Sequence, residues 1–95
     1  MKAERLFYDK AVDLDGLIVE MVIWRLPTPI PPSTHALKYR LFYGREGERV
    51  VSYDNERGKG DHRHARGREY RYRFVTIEKL IADFLAEVEH ERSAS

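Results

Sequence analysis

Between Tyr53 and His64 the chain reads YDNERGKGDHRH, which gathers two Asp, an Asn, two Arg, a Lys, two His and two Gly into twelve residues. These side chains move protons, bind phosphates or hold metals, and a hydrophobic core has little use for them. His62 and His64 are one residue apart, so an extended segment points both imidazoles to one face and Arg63 to the other. Two imidazoles on one face suit concerted general acid and base work, as in metal-free RNA cleavage. One would take the proton of a ribose 2′-hydroxyl while the other protonates the leaving 5′-oxygen. Lys59, with Arg57 and Arg63 on phosphate, would stabilise the charge that gathers on the phosphorane oxygens. Gly58 and Gly60 would let backbone amides approach a phosphate, and Tyr53, Asp54, Asn55 and Asp61 would support the site.

The same residues admit a divalent metal, with His-x-His on a strand and Asp54 or Asp61 supplying oxygen. Arg57, Lys59, Arg63 and Arg66 crowd that site and would repel a cation, so the sequence favours metal-free chemistry and no cofactor. The plainer alternative is that His62 and His64 are exposed loop residues and that Asp54 and Asn55 form an Asx turn ending a strand.

The 95 residues allow one domain, residues 1–95, with a core of modest size. Apolar residues make up 42% and charged residues 35%, which describes a globular chain with a heavily charged surface. Without Cys there is no disulfide, thiolate zinc site or cysteine nucleophile, and a reducing cytoplasm is the expected compartment. No apolar run reaches the length of a membrane span, and MKAERLFYDK lacks the apolar region of a signal peptide. The net charge of +1 hides polarity along the chain. From Arg57 to Arg73 seven basic residues face two acids, a net +5, whereas from Glu78 to Glu91 five acids face one Lys, a net −4.

The pattern predicts strands first and a helix last. Short alternation marks a strand over 3–9, and LIVEMVIWRL over 17–26 suits a central strand. PTPIPPST then forms a stiff connection with four Pro in six positions. Ala36 to Tyr43 alternates Leu37, Tyr39, Leu41 and Tyr43 with Lys38, Arg40 and Phe42, and Gly44 to Glu48 makes a hairpin loop. Arg49 to Asn55 returns as a strand into a glycine-broken loop, and Tyr70 to Val75 is one more strand. Thr76 caps a helix whose apolar stripe is Ile77, Leu80, Ile81, Phe84, Leu85 and Val88. The expected fold is α+β: an antiparallel sheet of four to five strands with the C-terminal amphipathic helix on one face. The other face would carry Lys38 and Arg40, with Arg71 or Arg73, and stay free to bind.

Glu20 could serve as a site carboxylate, although an Arg-paired position is commoner, and Trp24 could stack on a base. Tyr residues interleaved with Lys38, Arg40, Arg71 and Arg73 resemble single-stranded nucleic-acid surfaces, but Tyr is also a good strand residue.

YDNERGKGDHRH, with VEMVIWRLP, KYRLFYG and the terminal amphipathic helix, resembles the TumE family of bacterial toxin-antitoxin proteins over nearly the whole chain. The resemblance implies a toxin paired with a helix-turn-helix antitoxin. Small toxins of such pairs are often ribonucleases, which favours RNA as the target. The expected function is a metal-independent ribonuclease toxin with His62, His64 and Lys59 catalytic. The alternative is a binding module that inhibits stoichiometrically without turnover. An exposed strand edge would support a homodimer, though no residue pattern specifies one.

Overall fold

A computed structural model describes residues 2–94. Six strands and one helix follow in order: β1 (Glu4–Val12), β2 (Ile18–Arg25), β3 (Leu37–Arg45), β4 (Glu48–Glu56), β5 (Gly60–Ala65), β6 (Arg68–Arg71) and α1 (Ile77–Ala94). The strands form one sheet in the order β1-β2-β3-β4-β5-β6, with every neighbouring pair antiparallel. No described helix is long and apolar enough to cross a membrane.

The α+β expectation holds, with six strands rather than four to five. The extra strand comes from the second half of YDNERGKGDHRH, which pairs with β4 as β5 instead of running on as a loop. A tight turn makes this possible: Lys59 N donates to Glu56 O, and Gly58 and Gly60 take positive φ. A second reversal at Arg66 and Gly67, both at positive φ, then starts β6 at Arg68. The last strand therefore runs over 68–71, where Tyr70 to Val75 was expected, and residues 72–76 form the approach to α1.

One face of the sheet is buried because Tyr39, Leu41 and Tyr43 of β3, Val51 and Tyr53 of β4, and Met21 and Ile23 of β2 all point to it. α1 closes this layer with Leu80, Phe84 and Val88, and Phe84 meets the Tyr53 ring edge-on at 5.8 Å. Thr76 caps the helix as expected, its Oγ1 accepting from Lys79 N at 3.0 Å. Leu85, assigned to the apolar stripe by its spacing, is 42% exposed, because it lies beyond the strip that packs on the sheet, where Leu80, Phe84 and Val88 are buried and Ile77 and Ile81 are partly buried against the core.

The Pro-rich connection folds back on itself, with Leu26 N donating to Ala36 O, and docks on the β4–β5 turn. Gly58 N donates to Pro31 O, and a Cβ on Gly60 would stand 3.1 Å from Pro32 Cγ. These contacts anchor one end of the hairpin that carries both histidines.

Candidate functional site

Strand register decides which side chains meet on the face that α1 leaves uncovered. Tyr8, Val22, Arg40, Asp54, His62 and Arg71 line up as one row across all six strands. Lys10, Glu20, Phe42, Ser52, His64 and Glu69 form the next row. Asp54 and His62, and likewise Ser52 and His64, are equidistant from Gly58, so the turn sets both pairs.

Asp54, His62 and His64 converge, each offering a ligand atom within 4.8 Å of the others. The two imidazoles meet edge to face with centroids 5.2 Å apart. His62 is buried; its Nδ1 lies 3.0 Å from the Gly60 carbonyl oxygen, which can only accept. Nδ1 therefore carries the proton, and Nε2 faces Asp54 Oδ1 at 2.6 Å. The contact is close but is not aligned as a hydrogen bond, so Oδ1 has no hydrogen-bond partner. His64 Nε2 lies 2.8 Å from Glu69 Oε2, which leaves its Nδ1 buried without a partner.

Of the four buried side-chain polar atoms without a hydrogen bond among the described residues, three are here: Ser52 Oγ, Asp54 Oδ1 and His64 Nδ1. Each such atom costs about 1–3 kcal/mol while it stays unpaired, and their concentration in one place makes this the strongest candidate site on the open face. A cleft of about 530 Å³ opens beside them, lined by Lys10, Glu20, Arg40, Phe42, Ser52 and Asp54 among others. Arg40 lies next to Asp54 in the ladder, yet its guanidinium turns to Glu20 at 3.7 Å, and Tyr8 also donates to Glu20. Asp54 is thus left unpaired by arginine.

The remaining residues of the motif go elsewhere. Lys59 sits in the turn, 3.3 Å from Glu69 and 3.7 Å from Glu56. The hydrogen bond to Glu69 is the main cause that raises the Lys59 pKa, and the same bond holds the Glu69 carboxyl below its ordinary range. Arg57 is exposed in the turn, and the Gly58 amide is engaged by Pro31 rather than turned to the site. Tyr53, Arg63 and Asp61 belong to the helix side. Tyr53 donates to Glu87 at 2.5 Å, and burial raises its pKa first of all. Arg63 holds Glu87 at 3.0 Å and lies over the Tyr70 ring at 4.4 Å. Asp61 accepts from Tyr39 and lies 2.8 Å from His35 Nε2, so His35 has a partner that its place in the sequence did not disclose. Asn55 is fully buried and bridges to β3, accepting from Tyr39 N and donating to Leu37 O.

This arrangement corrects the picture of charge drawn from the chain. Arg63 and Arg66, part of the +5 segment, bind Glu87 and Glu91 of the −4 segment, so the two stretches partly neutralise each other across β5 and α1. Arg71 behaves differently: it stands opposite His62 on the open face and makes no ion pair among the described residues. Glu69 and Ser52 are the residues whose part at this cluster was not legible beforehand, whereas Arg71 was expected, with Arg73 as the alternative, on the open face. The signal for Glu69 was the two-residue Arg66–Gly67 reversal, which sets His64 opposite it.

Replacing Arg63 by Ala should cost about 1 kcal/mol in urea unfolding through loss of the Glu87 contact, with no effect on function beyond that loss. A far larger functional loss in a folded variant would return Arg63 to the reacting centre.

A protein-family model described as Toxin TumE matches residues 2–92. No curated protein and no solved structure matches the chain significantly.

Proposed function

The chain belongs to the TumE toxin family, and on that premise we propose that it is a toxin that cleaves RNA on the open face of its sheet, beside Asp54, His62 and His64. A family toxin of a toxin-antitoxin system has an antitoxin partner; a helix-turn-helix protein is the partner proposed here. The observation that carries the RNA reading is the convergence of Asp54, His62 and His64 on an uncovered face with Arg71 free beside His62. Arg71 offers a forked donor to a backbone phosphate, and the shallow cleft suits an extended single strand. His62, His64 and Lys59 remain the proposed reacting group, and Arg57, exposed in the β4–β5 turn, is the proposed further phosphate contact, whereas Arg63 is held by Glu87 on the helix side.

In the metal-independent form of this proposal, the ribose 2′-oxygen attacks phosphorus and gives its proton to one imidazole. The bond to the 5′-oxygen breaks as the other imidazole protonates it. That scheme needs two imidazole nitrogens open to substrate. Nδ1 of His64 has no partner but is buried, and Nε2 of His62 is closed off by Asp54 at 2.6 Å. The geometry therefore favours RNA cleavage at this cluster with activation from a further source.

Purified protein incubated with single-stranded RNA at a protein-to-RNA ratio well below one should yield fragments on a denaturing gel in amounts exceeding the protein present. A binding module would instead protect the RNA stoichiometrically, with affinity falling steeply as salt rises. Intact RNA after such incubation sinks the catalytic reading.

A further inference from the structure

We propose that Asp54 Oδ1, His62 Nε2 and His64 Nδ1 form a binding site for one late first-row divalent cation, zinc being the first choice. The inference deepens the RNA reading by naming the cofactor of the same site. All three atoms are acceptors with no proton of their own: a carboxylate oxygen, and the imidazole nitrogens opposite those that face Gly60 O and Glu69 Oε2. Three converging lone pairs call for an electrophile and would repel a phosphate. Two imidazoles and one carboxylate are the donor set of open zinc sites, in which three protein ligands leave a position for water or substrate.

The surroundings have the form that ligating histidines require. A metal-bound imidazole is oriented by an acceptor on its far nitrogen, and here the Gly60 carbonyl serves His62 at 3.0 Å and Glu69 serves His64 at 2.8 Å. Tetrahedral zinc with bonds of about 2.0–2.1 Å sets its ligand atoms roughly 3.3 Å apart. Asp54 Oδ1 and His62 Nε2 lie 2.6 Å apart, and the three residues each offer a ligand atom within 4.8 Å of the others, so small side-chain rotations bring the set into range.

Repulsion by Arg57, Lys59, Arg63 and Arg66 was the reason to expect no cofactor. In the fold Arg63 and Arg66 pair with α1 on the opposite side, and Lys59 is held by Glu69 and Glu56. Arg57 is out in the turn, and Arg40 is drawn to Glu20. Lys38 is bound to the Asn55 carbonyl, and Arg71, without an ion pair among the described residues, stands beside His62, where it could share a phosphate with the metal.

The test is equilibrium dialysis of tag-free protein, stripped with chelator and then exposed to zinc chloride, with cobalt(II) absorption reporting coordination in a parallel sample. One zinc per chain is expected. Asp54→Asn and His64→Ala should each lose it, and Glu69→Gln, an exposed change that leaves the fold alone, should weaken binding by about ten- to a hundredfold. Failure to bind near one equivalent, or binding indifferent to all three changes in folded protein, overturns the site. Because no RNA is present, this result stands apart from the RNA reading; RNA cleavage undiminished by EDTA would retain that reading and remove the metal from it.

Discussion

His62→Ala combined with His64→Ala is expected to abolish growth arrest on expression in bacteria and, on the proposed ribonuclease reading, to lower RNA cleavage by on the order of 10²–10⁴-fold in protein that still unfolds cooperatively. The size follows from the geometry: both imidazoles converge with Asp54 at the centre of the open face. His62 is buried, so its loss also carries a stability cost of about 1–3 kcal/mol from the contacts to Gly60 and Asp54. Cleavage is therefore normalised to the folded fraction measured by circular dichroism. A double variant that still arrests growth would show that the reacting centre lies elsewhere.

Phe84→Ala should have the largest effect on stability, about 3–5 kcal/mol in urea unfolding. Its ring is fully buried in the layer between α1 and the sheet, where it packs on Tyr53 and lies between Leu80 and Val88 on the helix. A domain of this size is stable by only about 5–15 kcal/mol, so the variant should be substantially unfolded at moderate temperature. The effect would reach the proposed site as well, because docking of α1 holds the sheet whose opposite face carries Asp54, His62 and His64. A loss below about 1 kcal/mol would mean that the helix is not docked as described.

These two residues differ in how far the sequence disclosed their place. Phe84 belongs to a run whose spacing of three and four already specified a helix with one buried side, and Thr76 marked its start. Leu85 fell in the same pattern and is exposed, because spacing defines a stripe but not how wide a strip the sheet can cover. His62 and His64 were placed on one face by the alternation of an extended chain. Their partners were not, since Glu69 and Asp54 come from different strands and meet them only through two turns. Arg63 and Arg66 show the reverse: their charge suggested phosphate, and α1 supplied nearer carboxylates.

The sequence by itself determined the antiparallel sheet with its capped helix, and that His62 and His64 would share a face if their segment were extended. These depend on neighbours along the chain, through backbone geometry and the alternation of side chains. The tertiary structure decided that the twelve-residue motif folds into a hairpin, that its arginines turn to the helix, and that three unsatisfied acceptors converge on the uncovered face. Those outcomes depend on register across strands and on which face the helix buries, and both are settled by contacts between residues distant in the chain.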